Sequence, residues 1–162
     1  MRKITHFIKG MNKNGQGLIE VIVSIAIIIT GILGALTLAT VSIRSGTESR
    51  EKVQASLLVQ EGIEVVKNIR DTNWIKTNDS TGWTTFKDNA LANSGLHIIS
   101  YNTTDSAWEL KDGAEETLTD FSNFKRKIQI TEKDANKLEV SCTISWPGGS
   151  ITALEYITNW KN

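Results

Sequence analysis

Residues 21–43 read VIVSIAIIITGILGALTLATVSI and contain no charged side chain. As an α-helix rising about 1.5 Å per residue, this segment reaches roughly 35 Å, which is enough to cross the hydrocarbon core of a bilayer. A buried helix of a soluble domain is the alternative, but a chain of 162 residues rarely encloses a helix that is apolar on every side. The segment therefore predicts a membrane anchor.

A basic leader precedes this anchor. Four basic residues and no acidic residue occupy the first 15 positions: Arg2, Lys3, Lys9 and Lys13. The positive-inside tendency keeps such a leader in the cytoplasm and sends the C-terminal body outward. A secretory signal cleaved after Ala35 or Ala39 is the alternative, but the apolar run is longer than such a signal and continues into a helical pattern.

The charge that follows the leader excludes one class of function. The whole chain has 18 basic and 18 acidic residues, so the part after residue 15 has 14 basic and 18 acidic ones. Nucleic-acid binding depends on basic surface that neutralises phosphates. A body with a net charge of −4 gives no electrostatic reason to expect nucleic acid as a partner.

One acidic residue, Glu20, lies at the edge of the apolar segment. A carboxylate that is carried unpaired toward the centre of a bilayer costs several kcal/mol. Glu20 therefore either lies at the level of the lipid headgroups or has a partner of opposite charge. The residues alone leave both interpretations open.

Residues 13–21 read KNGQGLIEV and, with the apolar run behind them, resemble the cleavage and methylation site of type IV prepilins and type II secretion pseudopilins. In that family a peptidase at the cytoplasmic face of the membrane cuts after a glycine, and a glutamate is the fifth residue of the product. The resemblance places the cut between Gly15 and Gln16 and implies that Gln16 is N-methylated. It also implies that Glu20 pairs with the N-terminal ammonium of a neighbouring subunit, which offsets the desolvation of both charges.

The motif departs from the family pattern at its first two mature positions. The family usually has Phe followed by Thr, whereas this chain has Gln16 and Gly17. An N-terminal glutamine can also cyclise and lose its charge, so a methylated and a cyclised Gln16 both stay open. This departure and the lack of a disulfide, with Cys142 as the one cysteine, favour a minor over a major subunit. The residues do not distinguish a pilus for adhesion, motility or DNA uptake from a secretion pseudopilus.

Small residues in the apolar segment predict close helix packing. Gly31, Ala35 and Ala39 are four residues apart, a pattern that lets helices approach closely in lipid, although glycine and alanine are also ordinary in membrane helices. Gly31 and Gly34 each weaken a helix by roughly 1 kcal/mol relative to alanine. The resemblance implies that this region can unwind in an assembled filament.

The helical pattern continues beyond the membrane. Between residues 45 and 71, apolar residues and one glycine recur at spacings of three and four: Ala55, Leu58, Val59, Gly62, Val65, Val66 and Ile69. This amphipathic pattern predicts one long helix of about fifty residues with a stripe to bury against a domain. Residues 72–95 are rich in Asn, Asp, Ser, Thr and Gly, which predicts a loop anchored by Trp74, Trp83 and Phe86.

Period-two patterns predict strands in the rest of the chain. Residues 96–101 and 107–111 predict a first hairpin. Phe124, Ile128 and Ile130 then alternate with polar residues, although Arg126 interrupts the apolar side. A second alternation has five apolar members: Leu138, Val140, Cys142, Ile144 and Trp146. With turns at 134–136 and 147–149 and a last strand over 150–160, these patterns predict an antiparallel meander whose apolar face is covered by the amphipathic helix.

The expected fold class is therefore α+β, with one long N-terminal helix packed on a C-terminal antiparallel sheet, as the resemblance to pilins also implies. We expect three parts: a removable leader over 1–15, a transmembrane and filament-core helix over 16–44, and an exported body over 45–162. The resemblance implies a single-pass precursor in the cytoplasmic membrane that later enters an extracellular or periplasmic filament. Its implied partners are membrane lipid, the prepilin peptidase, the assembly platform of the inner membrane, and other pilin subunits.

The sequence contains no pattern typical of an enzyme, a cofactor site or a metal site. His6 and His97 lack metal-site spacing, and Cys142 falls on the apolar side of its strand, where a core residue is expected. The acidic positions Asp71, Asp79 and Asp88 match no calcium loop and predict solvated turns. Two other functions stay open: an anchored domain that binds a ligand without polymerising, and an anchored enzyme, which would need clustered polar groups in a pocket.

Overall fold

The computed structural model describes residues 13–77 and 81–160, with side chains from residue 17 onward. Helix α1 spans Lys13–Thr77, helix α2 spans Thr81–Leu91, and a 3₁₀ turn spans Ala92–Gly95. Six strands follow: β1 (Leu96–Asn102), β2 (Ala107–Asp112), β3 (Glu116–Leu118), β4 (Phe121–Asp134), β5 (Lys137–Trp146) and β6 (Gly149–Thr158). The chain divides into two compact units, with the boundary between Thr47 and Glu48.

The strands form one antiparallel sheet in the order β2-β1-β4-β5-β6, and β3 pairs with β4 beside this path. The predicted hairpin of β1 and β2 and the predicted meander of β4, β5 and β6 are both confirmed. Tight turns at residues 135–136 and 147–148 join the three strands of the meander.

One face of the sheet is buried because apolar and polar side chains alternate along β4 and β5, so that the apolar ones all point to the same side. Strand β5 buries every second residue, from Leu138 to Trp146, and β4 buries Phe124, Ile128 and Ile130 on the same face. The stripe of α1 between Ala55 and Ile69 is also buried, in the same cluster. The second unit is therefore a helix packed on an antiparallel sheet, and the expected α+β, pilin-like fold class is confirmed.

Residues 72–95 are the main correction to the predicted secondary structure. Of the described residues in this range, 72–77 end α1, 81–91 form α2 and 92–95 form a 3₁₀ turn, where a loop was expected, and α1 has 65 residues rather than about fifty. The expected anchors Trp74, Trp83 and Phe86 are buried, and the Trp83 ring N–H donates to the Ala135 carbonyl at 3.1 Å. Burial of these aromatic rings outweighs the weak helix propensity of the surrounding Thr, Asn and Gly residues. The short strand β3 was also missed.

Helix and sheet approach each other closely at Gly62. A Cβ atom placed on Gly62 would lie 2.6 Å from the Cys142 sulfur and 3.3 Å from Cδ of Arg126. Neither neighbour can retreat easily, because Cys142 is fully buried on β5 and Arg126 is nearly so on β4. The glycine therefore sets the distance between α1 and the two central strands.

We predict that Gly62→Ala destabilises the second unit by about 1–3 kcal/mol, because the added methyl overpacks the contact with Cys142. Gly46→Ala, in the same helix but in the first unit and with open space around the new methyl, is the control and should leave the free energy of unfolding of the second unit unchanged. The measurement is urea unfolding of the full chain in mild detergent, followed by tryptophan fluorescence.

The double variant Gly62→Ala/Cys142→Ala tests the cause. Since removing the sulfur makes room for the methyl, the double variant should be more stable than the sum of the two single effects. Strict additivity would show that the sulfur does not set the helix–sheet distance.

Candidate functional site

The first unit presents an uncovered apolar surface. Every residue from 17 to 47 is exposed in the single chain, with Ile22 at 58% and Leu38 at 73%. Among the described residues, one helix is long and apolar enough to cross a membrane, and its mean hydropathy reaches 2.6 over 18 residues. Soluble proteins rarely expose so large a contiguous apolar surface. The segment therefore requires lipid or other protein around it.

Hydroxyl groups in this segment are satisfied inside the helix. Ser24 donates to the Glu20 carbonyl at 2.7 Å, and Thr30 donates to the Ala26 carbonyl at 2.7 Å. Thr37, Thr40 and Thr47 make similar bonds one turn back along the helix. A polar group in hydrocarbon costs several kcal/mol when it lacks a partner. These side chains therefore enter an apolar environment without that cost.

The small residues of the segment leave open space at the surface of the helix. A Cβ placed on Gly31 or Gly34 would meet no atom within 4 Å, and Ala35 and Ala39 are exposed. The helix is continuous through these four positions in the single chain. The single chain therefore places no atom against these positions, and close helix packing and unwinding of this region in a filament stay predictions.

The residues of the predicted processing motif lie in the first turns of α1. Gly15 and Gln16 have helical backbone, and their side chains lie outside the described part of the structure. Residues 1–12 of the expected leader also lie outside it. Glu20 follows on the helix and is exposed. Cleavage after Gly15, methylation of Gln16 and pairing of Glu20 all stay predictions.

The second unit contains an ionic cluster around the buried Arg126, with Glu116 partly buried and Glu61 exposed, that the sequence did not reveal. Arg126 is only 5% exposed and lies on the helix-facing side of β4 between Phe124 and Ile128, so it interrupts the apolar face as predicted. Its guanidinium donates through Nε to Glu116 on β3 and through Nη1 to Glu61 on α1, the latter at 3.3 Å. The cluster therefore ties α1, β3 and β4 together at one point. The signal in the sequence was a basic residue at an inward position, which calls for acidic partners from elsewhere in the chain.

Cys142 and His97 are core residues, as expected for Cys142. Burial raises the pKa of the Cys142 thiol to about 11, so the thiol stays protonated and unreactive at neutral pH. His97 is 1% exposed, and its Nε2–H donates to the Ala90 carbonyl at 2.9 Å. Both side chains are enclosed in the core of the second unit, where Cys142 packs against Gly62 of α1.

The acidic positions do not converge on an ion. Within the described ranges, no group of three His, Cys, Asp or Glu side chains could hold a metal. Asp71 lies on α1 and accepts from Arg70 at 2.8 Å, and Asp88 lies on α2. The predicted solvated turns at these two positions are therefore wrong, because both belong to helices. Asp79 lies outside the described residues.

A cleft of about 320 Å³ lies where the end of α1 meets α2 and the β1–β2 hairpin. Its walls combine aromatic and polar side chains, including Phe86, Trp108, Asn89 and Asp112. Such a mixture can hold a small polar ligand.

Comparison with protein-family models, with curated proteins and with solved structures finds no match. A proposal about function therefore rests on the sequence, on the fold and on the exposed apolar helix.

We predict that Glu116→Gln destabilises the second unit by roughly 2 kcal/mol or more, since it leaves the buried Arg126 charge without its closest carboxylate. Glu115→Gln is the matched control, because Glu115 forms an exposed pair with Lys125 at 3.1 Å. It should change the free energy of unfolding by less than about 0.5 kcal/mol. Equal effects in urea unfolding would contradict a special role for Arg126.

Proposed function

We propose that this chain is a prepilin, a structural subunit of a type IV pilus or pseudopilus. The precursor is a single-pass protein of the cytoplasmic membrane that prepilin peptidase cuts after Gly15. The mature chain then enters an extracellular or periplasmic filament through its N-terminal helix. The observation that carries the proposal is the fully exposed apolar surface of residues 17–47 beside a separately packed body.

In this proposal, two environments in succession cover the apolar surface and keep it from water. Before assembly, lipid covers the apolar side chains, and the internally bonded hydroxyls allow the helix to enter hydrocarbon. After assembly, the same segments of other copies replace lipid, and the open positions at Gly31 and Gly34 permit close approach. An anchor that never polymerises needs the first environment but not the second.

In the proposed assembly, the Glu20 carboxylate pairs with a positive charge on a neighbouring subunit. A carboxylate near the apolar core stabilises the assembly only when a cation accompanies it into the same low-dielectric surroundings. Cleavage after Gly15 creates such a cation, the ammonium at Gln16, four residues before Glu20. Pairing between neighbouring subunits fixes their axial register. A cyclised Gln16 has no ammonium and would leave Glu20 unpaired.

Processing and assembly imply further partners. The precursor meets the peptidase at the cytoplasmic face of the membrane, and the assembly platform of the inner membrane extracts the mature subunit. The copies that surround it are identical or related pilins. We propose a structural rather than a catalytic role.

An anchored binding domain is the second candidate, and the cleft near Trp108 favours it. In that case residues 17–47 only hold the body at the membrane. This candidate requires no cut on the cytoplasmic side and gives no reason for Glu20 to lie so close to the start of the segment.

We predict that Gly15→Ala blocks processing by a co-expressed prepilin peptidase at least tenfold, because the peptidase requires the glycine before the cut. Gly17→Ala is the matched control: it changes a neighbouring glycine with open space around it and should be processed normally. Intact mass distinguishes the precursor from a product lacking residues 1–15. A wild-type chain that stays uncut while the same peptidase cuts another prepilin would contradict the proposal.

We also predict that Glu20→Ala and Glu20→Gln are processed but enter sheared filaments at least tenfold less than the wild type. Glu64→Ala removes an exposed carboxylate farther along α1 and serves as the control. Immunoblotting of membrane and sheared fractions measures the distribution. Incorporation of the Glu20 variants at the wild-type level would refute the pairing of Glu20.

A further inference from the structure

The sheet has two edges of different character. Strand β2 forms one edge and is short, with three charged residues among six. Strand β6 forms the other edge and has ten residues, with Glu155 as its single charge and no proline. Natural sheets usually shield a long edge with charges, proline or bulges, because its free backbone groups can pair with another chain.

The backbone groups on the free side of β6 can be identified from its pairing with β5. Opposite residues of an antiparallel pair alternate between hydrogen-bonded and non-hydrogen-bonded positions. The Asn159 N–H donates to the Asn136 carbonyl at 2.9 Å, one step beyond the Lys137–Thr158 pair. Odd-numbered residues of β6 therefore bond to β5, and the N–H and C=O groups of the even-numbered ones face the edge. These are Ser150, Thr152, Leu154, Tyr156 and Thr158.

The usual shielding devices are weak on this edge. The pairing of β5 with β6 runs through ten residue pairs without a register shift, so no bulge turns the edge away. Glu155 points to the helix side of the sheet, where its carboxylate lies 3.7 Å from the Lys67 ammonium. On the outer face, Leu154 is 63% exposed and Tyr156 is 51% exposed, and the Lys137 ammonium of β5 lies 4.1 Å from the centre of the Tyr156 ring. The edge therefore combines free backbone groups with exposed apolar side chains.

The sequence of β6 is self-complementary in one register. When two copies of β6 run antiparallel with Leu154 opposite Leu154, Thr152 lies opposite Tyr156 and Ser150 lies opposite Thr158. All five edge residues of each copy then form hydrogen-bonded pairs. Each Glu155 lies opposite Ala153 rather than the other Glu155, so like charges do not meet. Leu154 and Tyr156 of both copies form one apolar cluster on the outer face.

We propose that β6 is an interface between two copies of this chain, which pair antiparallel about Leu154 and join their sheets into one. Gly62 on α1 contacts Cys142 of β5 and Arg126 of β4, so α1 lies over those two strands. The helices of two paired bodies would lie roughly four strand spacings, or about 19 Å, apart. This distance exceeds the width of a helix with side chains, which is about 10–12 Å. The helices therefore leave the edge accessible.

The symmetry of this pairing determines which copies can meet. An antiparallel pair within one sheet has its two-fold axis perpendicular to the sheet, so residues 48–77 of the two copies run in opposite directions. Neighbours within one polar filament run in the same direction. The β6 contact therefore joins copies from separate filaments or facing surfaces, which is a role beyond the proposed helix-mediated assembly.

Site-specific crosslinking of the full chain in mild detergent tests the register. In a Cys142→Ala background, Leu154→Cys should form a disulfide-linked dimer on mild oxidation, because paired residues lie about 5.5 Å apart between Cα atoms. Thr152→Cys, on the same strand and face, is the matched control and should crosslink at least tenfold less. Equal crosslinking at both positions, or none at Leu154→Cys, would overturn the proposed pairing.

A charge variant tests the interface without a crosslink. Leu154→Lys places two ammonium groups at the axis and should weaken dimerisation at least tenfold in analytical ultracentrifugation, while tryptophan fluorescence shows a folded body. Ile75→Lys replaces another exposed apolar residue, on α1, and should leave the dimer intact. Running both in a Glu20→Ala background keeps the test independent of helix-mediated assembly. A dimer that survives Leu154→Lys would contradict the proposal, as would a chain that is monomeric before the substitution.

Discussion

The apolar surface of α1 must be removed from water, and the chain itself covers only part of it. Between Ala55 and Ile69 the sheet provides the cover, and the stripe is almost completely buried. Between residues 17 and 47 the single chain provides none. Because apolar burial is the dominant favourable term in folding and association, the uncovered part requires an environment from outside the chain. Lipid and other copies of the helix are the two environments that our proposal assigns to it.

The covered part depends on a small number of close contacts. Because Gly62 has no side chain, α1 can lie directly against the side chains of Cys142 on β5 and Arg126 on β4. Arg126 brings a charge into this interface, and Glu61 and Glu116 neutralise it from α1 and β3. An ionic cluster of this kind contributes little net stability, but it penalises any arrangement in which its partners are apart. It therefore favours one position of the helix on the sheet.

The sequence predicted the features that repeat locally. Alternation at Leu138, Val140 and Ile144 identified β5, and the spacing of Val59, Val66 and Ile69 identified the buried stripe, because each pattern is visible within a few residues. Residues 81–91 were mispredicted as loop because Trp83 and Phe86 are held in a helix by burial in a core that distant strands complete. The partners of Arg126 were missed because Glu61 is 65 residues away. The expected site at Gly15, Gln16 and Glu20 came from a resemblance over a short motif, and its chemistry involves other molecules.

Intact-mass and N-terminal peptide analysis of the protein sheared from the surface of its native cells tests the central claim most directly. We expect a mature chain that begins at Gln16, with or without one added methyl group, in a fraction that contains filaments. A chain that keeps residues 1–15, or that begins after Ala35 or Ala39, would contradict the account and indicate an anchored or secreted binding domain.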